Sequence, residues 1–247
     1  MKQHLLLPYG KTEALHYACH KLKESGFSIT TNPNSEVTHL LLPTPSFDPD
    51  GSVKGGGDLG PLLSRLPKDI TIIGGNLSSV PADYRKLDLL QSEAYLAKNA
   101  AITAHCAVKL AMNQLSCTLE HCPVLVIGWG RIGKCLGRLL QQMGACVTVA
   151  TRKEADRSVL QALHYGAVPT GSIEPDRYRV IFNTAPLLIL PNCDGSALKI
   201  DLASQPGITG TDVIWARGLP NKDAPESSGH LIAQYIADYL TETEVTI

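Results

Sequence analysis

Short apolar runs alternate with amphipathic stretches in the first part of the chain. Strand-like runs lie at residues 4–7, 27–31, 38–42 and 69–73, and helical spacing lies at 12–25 and 62–66. Short apolar runs next to glycine or proline are typical of buried strands, and apolar residues three and four apart are typical of helices. The alternation predicts a small parallel α/β domain over residues 1–98, with the glycine-rich stretch 47–60 as a loop.

A long helical stretch then leads into a second part. Residues 92–119 contain neither proline nor glycine and are rich in alanine and leucine. Such a composition favours helix throughout. We expect a connector helix with a break near Asn99 and a second helical run that begins at Thr103.

The second part has the same alternation in a clearer form. Strand-like runs lie at 124–127, 146–150, 178–183, 198–203 and 212–215, and helical spacing lies at 132–143, 156–164 and 227–240. This order predicts an α/β fold with a doubly wound parallel sheet of the Rossmann type. We expect a dinucleotide-binding domain over residues 99–226, connector included, followed by a C-terminal helix over 227–247.

Composition and charge exclude several classes of protein. The 247 residues are 44% hydrophobic and carry a formal net charge of −1. The near-zero charge disfavours a nucleic-acid-binding surface, and the longest apolar runs are too short to span a bilayer. The N-terminus lacks the apolar segment of a signal peptide, so a cytoplasmic protein is expected.

The cysteines are dispersed and favour reduced thiols. The chain has seven cysteines and no C-x-x-C pair, which is typical of a reducing compartment. Cys117, His121 and Cys122 are close in sequence, but a structural metal site would need a fourth ligand and usually a second ligand pair. No metal is expected.

One glycine-rich turn has the spacing of a dinucleotide site. Gly128, Trp129, Gly130, Arg131, Ile132 and Gly133 form a G-x-G-x-x-G string between a predicted strand and a predicted helix. In such a turn the first glycine permits the sharp bend, the second lets a pyrophosphate approach, and the third lets helix pack on strand. The phosphates then lie at a helix N-terminus.

The end of the next strand indicates which cofactor binds. NAD-binding domains place an acid there to accept hydrogen bonds from the ribose. This chain has Thr151, Arg152 and Lys153 instead. A guanidinium is well suited to a 2′-phosphate, so the sequence favours NADP.

Later strands end in loops that should reach the same edge of the sheet, because ligands of such sheets bind beyond the carboxyl ends of the strands. Asp201 lies inside its strand, and a role as partner of buried N–H groups is favoured over a role as base. The other predicted cofactor contacts at this edge are Asn183, Thr184, Ala185, Pro186 and Ala203.

Several strings together resemble the A subunit of dipicolinate synthase, a dehydrogenase subunit of sporulating bacteria. They are VIGWGRIG at 126–133, FNTAP at 182–186, IDLASQPG at 200–207, GLP at 218–220 and AP at 224–225. The likeness covers residues 99 to about 240, and the first 98 residues match in the order of elements only. Two positions depart from the family: His105 stands where an acid is common, and Glu226 where lysine is.

The resemblance implies NADP-dependent oxidation of a dihydrodipicolinate-type cyclic imino dicarboxylate to dipicolinate. Such a substrate needs its carboxylates clamped, and we expect Thr103, Arg217, Ser227 and Ser228 to do so, the serines from the start of the last helix. His105 is the candidate base, with a histidine satisfied inside the connector helix as the alternative.

Residues of the first domain are candidates through their position at strand ends, and a partner subunit is implied by the resemblance. Tyr9, Lys11 and Thr44 end strands of the first domain and are candidates to face the substrate. The family suggests a second, flavodoxin-like subunit as partner. The possibility of a homo-oligomer stays open.

Two other functions stay open at this point. One is an NADP-binding sensor or non-catalytic partner of another subunit. The other is an oxidoreductase like the D-2-hydroxyacid dehydrogenases, which need an arginine, a glutamate and a late histidine. The late histidine here, His230, falls inside the last predicted helix and no matching Arg-Glu spacing accompanies it.

Overall fold

A computed structural model describes residues 4–245 of the chain. Two parallel sheets form its framework, and the chain divides into two units. The first unit comprises residues up to Asn99 together with those from Pro220 onward, and the second comprises residues 100–219.

The elements have the following bounds. The strands are β1 (Leu5–Pro8), β2 (Ser28–Ile29), β3 (His39–Leu41), β4 (Thr71–Gly74), β5 (Arg85–Asp88), β6 (Pro123–Ile127), β7 (Cys146–Ala150), β8 (Gly166–Val168), β9 (Val180–Asn183), β10 (Leu198–Asp201) and β11 (Val213–Trp215). The α-helices are α1 (Glu13–Glu24), α2 (Gly60–Leu63), α3 (Glu93–Gln114), α4 (Arg131–Gln142), α5 (Glu154–Ala162), α6 (Leu219–Asp223) and α7 (Pro225–Val245).

The sheet of the first unit has the strand order β2-β1-β3-β4-β5, and every pair is parallel. The apolar residues of its inner strands β3 and β4 are buried, and Leu6, Leu40 and Ile72 are fully inaccessible. Thr12 is the N-cap of helix α1, and its hydroxyl accepts a hydrogen bond from the Leu15 N–H at 3.3 Å. Strand β2 lies on one side of β1 and the later strands lie on the other, so the strand order reverses between β1 and β3.

Helix α7 packs against α1 within this first unit. A glycine permits the close approach, because a Cβ at Gly229 would lie 2.5 Å from the carbonyl oxygen of Ala14. The C-terminal helix therefore belongs with the first unit, whereas the sequence pattern presents it as a separate segment after 226.

The sheet of the second unit has the strand order β8-β7-β6-β9-β10-β11, again all parallel. Residues 124–127 of β6 are fully buried, as expected for a central strand covered on both faces. Counted from β6, the order is 3-2-1-4-5-6, which is the order of dinucleotide-binding sheets. The expected doubly wound fold is confirmed. Successive strands are added on one side of β6 up to β8 and then on its other side from β9 onward, so the strand order reverses between β6 and β9.

The structure differs from the sequence pattern at several elements. Helix α3 runs from Glu93 to Gln114 without a break at Asn99, because no glycine or proline interrupts its backbone hydrogen bonds. Helix α7 begins at Pro225 rather than Ser227, and proline suits the first helical position because its N–H would be unpaired there. The sequence pattern did not predict strands β5 and β8, which are short and hold only through pairing with β4 and β7.

The described residues bear on two further kinds of function, membrane insertion and metal binding. No helix among them has the length and apolar character to cross a membrane. Within the same residues, no group of three or more histidine, cysteine or acidic side chains is placed to hold a metal ion.

Candidate functional site

The glycine turn joins β6 to α4 in the way its spacing predicts. Gly128 has a φ of 99°, a left-handed conformation that favours glycine, and its N–H donates to the carbonyl of Ala150 at 2.9 Å. A Cβ at Gly133 would overlap the carbonyl oxygen of Gly128. These two glycines therefore fold the turn itself.

Gly130 has a different role from the other two. It is the N-cap of α4, in extended conformation, and no side chain caps this end of the helix. A Cβ at Gly130 would meet no atom within 4 Å. The space beside it is open, as the close approach of a pyrophosphate requires.

Thr184 fixes the turn from the neighbouring strand. The residue follows β9, and both its N–H and its hydroxyl donate to the carbonyl of Ile127, at 2.8 and 2.9 Å. A Cβ at Gly128 would lie 2.6 Å from the Thr184 hydroxyl oxygen. The ends of β6 and β9 are thus locked together at the reversal of the sheet, where ligands of this fold bind.

A cleft of about 720 Å³ opens at this edge of the sheet. Its volume lies in the range of small-molecule and cofactor sites, roughly 300–1,000 Å³. Arg131, Lys134 and Arg217 contribute three cations, and no carboxylate stands among the residues that line it. The lining residues are Gly130, Arg131, Ile132, Lys134, Thr184, Pro186, Leu202, Ala203, Ser204, Arg217 and Gly218. The chemistry of this set is suited to an anionic ligand with an apolar portion.

Arg217 is held at the cleft by an aromatic neighbour. Its guanidinium carbon lies 5.2 Å from the ring centroid of Trp215, within cation–π range. The indole N–H of Trp215 donates to the carbonyl of Ala203 at 3.1 Å. The end of β11 is therefore tied to the loop after β10.

Asp201 shapes that loop from inside. The residue is fully buried, and its carboxylate accepts hydrogen bonds from the N–H groups of Ala203 (3.0 Å), Gly207 (2.6 Å) and Ile208 (3.0 Å). It also accepts one from the Asn183 amide at 2.8 Å. Every partner is a group that burial would otherwise leave unpaired, so the structure supports the structural role over that of a base.

Asn183 is engaged in the same network. Its amide nitrogen donates to the Ala185 carbonyl and to Asp201, and its amide oxygen accepts from the Ala185 N–H at 3.1 Å. Asn183, Ala185 and Asp201 were expected among the cofactor contacts. In the structure they fold the loops whose other residues line the cleft, and their contact with a cofactor stays a prediction.

Trp129 is predicted as a cofactor contact, and that role stays a prediction. Its ring packs edge-on against Tyr165, with centroids 5.5 Å apart, and lies close to Gly137 of α4. The side chain is a packing element between α4 and β8, and it does not line the cleft.

The segment expected to choose the cofactor follows β7. Thr151 is buried, whereas Arg152 and Lys153 are exposed just before α5. Arg157 braces this segment by donating to the carbonyls of Thr151 and Arg152, at 3.0 and 2.9 Å. The backbone is thereby fixed while the Arg152 side chain stays accessible.

The predicted substrate clamps are placed differently from expectation. Thr103 is buried in the interior of α3, so its backbone N–H does not lie at a helix start. Ser228 donates its N–H to the Ala224 carbonyl and its hydroxyl to Asn221, because the helix begins earlier than predicted. Ser227 is exposed in the first turn of α7, and its role stays a prediction.

His105 lies on α3 with its side chain exposed and does not line the cleft. Its role as base stays a prediction. Lys134 and Leu202 do line the cleft and were not singled out from the sequence. Lys134 follows Arg131 by three residues on α4, a spacing that places both on one helix face and was the available signal.

No protein-family model matches the chain. It is similar to the dipicolinate synthase A subunit of Bacillus subtilis (strain 168), with 26% identity over 205 residues, which cover 74% of this chain and 68% of that protein. The crystal structure of dipicolinate synthase A chain from Bacillus subtilis superposes with a TM-score of 0.82 and 21% identity, and covers 100% of this chain and 98% of that one. Salmonella D-lactate dehydrogenase superposes with a TM-score of 0.56 and 13% identity, over 94% of this chain and 95% of that one.

These comparisons confirm the resemblance expected from the sequence strings, and the structural ones confirm the α/β fold. The proteins concerned are one subunit of a synthase and a dehydrogenase of Rossmann architecture. Their names agree with the expected class, a nicotinamide-dependent oxidoreductase.

Proposed function

We propose that the chain is an NADP-dependent oxidoreductase that converts a dihydrodipicolinate-type ring to the aromatic dicarboxylate, as a subunit of the dipicolinate synthase type. The observation that carries the proposal is the cationic cleft beside Gly130, at the reversal of a sheet with dinucleotide-binding strand order. The similarity to the A subunit of dipicolinate synthase supports the substrate class.

The residues at the cleft fit a dinucleotide. Open space beside Gly130 accommodates a pyrophosphate, and the uncapped start of α4 offers helix N–H groups to it. Arg131 and Lys134 add positive charge on the same helix. The nicotinamide supplies hydride transfer when bound, and Thr184 and Pro186 line the side of the cleft that follows β9.

The preference for NADP rests on Arg152. No acid ends β7, and the braced backbone at Thr151 and Arg152 leaves an exposed guanidinium there. Bidentate bonds from arginine to phosphate are among the stronger ones available to a protein.

The reaction removes a hydride from one ring carbon and a proton from the ring, and it yields an aromatic dicarboxylate. Aromatisation makes the change favourable, so the protein has to align the two reacting carbons and hold the carboxylates. Arg217 is placed to contribute charge from the cleft. The proton acceptor is His105 or water.

Turnover tests the proposal directly. The dihydrodipicolinate precursor is generated in place, NADP is added, and NADPH absorbance is followed with and without a flavodoxin-like second subunit. NADPH formation in either mixture is the expected result, and its appearance only in the mixture of both proteins supports a role as one part of a synthase. Cofactor binding without turnover in both mixtures contradicts the enzyme and favours a sensor.

A further inference from the structure

A buried hydroxyl without a partner stands at the carboxyl edge of the first unit's sheet. Thr44 follows β3 and is 7% exposed. Its hydroxyl oxygen is buried and has no hydrogen-bond partner within the part of the chain that the structure describes. Buried polar groups are nearly always paired, because an unpaired one has lost its water without compensation. Such a group indicates a missing partner.

The carbonyl and the methyl of Thr44 are both engaged. Its carbonyl accepts a hydrogen bond from the Asn221 amide at 2.7 Å, and the oxygen of that amide accepts one from the Ser228 hydroxyl at 3.0 Å. Its methyl packs against Gly75, where a Cβ would lie 2.8 Å from it. The carbonyl and the methyl thus hold the residue from two sides, and the side-chain hydroxyl has no partner among the described residues.

Backbone hydrogen bonds join this loop to two lysine-bearing segments. The N–H of Lys11 donates to the Lys54 carbonyl at 3.1 Å, the N–H of Lys54 to the Ser46 carbonyl at 2.9 Å, and the N–H of Ser46 to the Gly75 carbonyl at 2.8 Å. The loops after β1, β3 and β4 are therefore tied together at one edge. Lys11 and Lys54 bring two cations to these segments, and Asp48, Asp50 and Asp58 of the same loop bring three acids.

The sheet order marks the same place independently. In the order β2-β1-β3-β4-β5 the direction of winding reverses between β1 and β3. Ligands of open parallel sheets bind beyond the carboxyl ends of the strands at such a reversal. Lys11 follows β1 and Thr44 follows β3, so the unpaired hydroxyl lies at the expected ligand position of this sheet.

We propose that the Thr44 hydroxyl donates a hydrogen bond to a carboxylate of the dicarboxylate substrate, in a subsite to which Lys11 and Lys54 contribute charge. The inference rests on the proposed function and names the residues of the first unit that hold its substrate. The Asn221–Ser228 pair positions Thr44 by holding its carbonyl.

Thr44→Val tests the subsite, because valine keeps the shape of threonine and removes only the hydroxyl. The probe is pyridine-2,6-dicarboxylate, titrated calorimetrically into the full chain with NADP present. We expect about tenfold weaker binding or more, as for the loss of a hydrogen bond to a charged group. NADPH binding is expected to stay unchanged. The melting temperature is expected to stay the same or rise, because an unpaired buried hydroxyl has been removed.

Thr71→Val is the matched control, since Thr71 is equally buried and lies at the opposite end of β4 in the same sheet. It is expected to leave dicarboxylate affinity unchanged. Unchanged affinity in Thr44→Val, or a fall in melting temperature with unchanged affinity, would overturn the subsite while the proposed function stands. A wild-type chain that binds NADPH but no dicarboxylate would overturn both.

Discussion

The two sheets differ in the hydrogen bonding of a buried polar group at the edge where the strands end. In the second unit, the carboxylate of Asp201 is buried and accepts four hydrogen bonds from within the unit. In the first unit, the hydroxyl of Thr44 is buried and has no partner among residues 4–245. Asp201 is the last residue of β10, and Thr44 lies in the loop after β3.

The difference separates a group that builds a loop from one that is available to a ligand. A carboxylate with all of its acceptor capacity in use holds the backbone, and the residues around it, such as Ala203 and Arg217, reach the cleft. The Thr44 hydroxyl has no such partner among the described residues, and the proposed subsite assigns it to a ligand. Hydrogen-bond satisfaction therefore distinguishes the two roles where burial alone does not.

Removing the Asp201 carboxylate is expected to have the largest effect. Asp201→Ala leaves several buried N–H groups unpaired, so the free energy of unfolding should fall by about 3–5 kcal/mol. Urea denaturation followed by circular dichroism measures the change. Asp194→Ala is the control, since Asp194 is exposed and accepts a hydrogen bond from the Thr211 N–H. Similar losses in both variants would contradict the structural role.

Filling the open space beside Gly130 is expected to have the next largest effect, on cofactor binding. Gly130→Val should weaken binding of NADPH by about a hundredfold or more while the fold stays intact, because the side chain would fill space that a pyrophosphate needs. Quenching of protein fluorescence measures binding. Gly171→Val should bind normally, because Gly171 lies outside the cleft and a Cβ added there would also meet no atom within 4 Å. Normal binding in Gly130→Val would show that the cleft is not the dinucleotide site.

Arg152→Asp tests whether Arg152 determines the preference for NADP over NAD. Loss of a charged hydrogen bond to the 2′-phosphate should weaken NADP binding about ten- to a hundredfold and spare NAD binding. Titrations of both cofactors measure the ratio. Arg138→Asp makes the same change of charge at an exposed position of α4 and should leave the ratio unaltered. A wild-type preference for NAD would contradict the prediction.

The smallest effect concerns the amino-terminal edge of the first sheet. Burial, and then the neighbouring His4, lower the pKa of His39 to about 4. The unfolded chain binds a proton at its ordinary pKa near 6.5, so stability is present above that pH and is lost as pH falls toward 4. The loss between pH 7 and pH 5 should be about 2 kcal/mol.

Replacing the imidazole tests this dependence on pH. Unfolding of His39→Gln, measured by urea denaturation at several pH values, should have a shallower slope over the same range. His16→Gln, at an exposed position of α1, should keep the wild-type slope. Equal slopes in wild type and His39→Gln would assign the loss of stability to other groups.

Local patterns in the sequence predicted much of the second unit. The fully apolar run at 124–127, the glycine turn and the amphipathic α4 each depend on neighbours within a few residues, and the structure contains all of them. The start of α7 was misplaced because Ser227 and Ser228 resemble a helix cap, whereas Pro225 two residues earlier already fits the first turn. Strands β5 and β8 lack an extended apolar pattern of their own, and pairing with β4 and β7 stabilises them.

Local sequence was sufficient to establish the order of the main strands and helices, the position of the glycine turn and the lack of an acid at the end of β7. The strand order of each sheet, the packing of α7 against α1 and the partners of Asp201 and Thr44 emerged from the three-dimensional fold. Periodicity and turn residues act over a few positions, and the sequence shows them directly. The hydrogen bond between Asn221 and Thr44 joins residues 177 positions apart. Whether a buried polar group is satisfied depends on such distant partners, and folding alone brings them together.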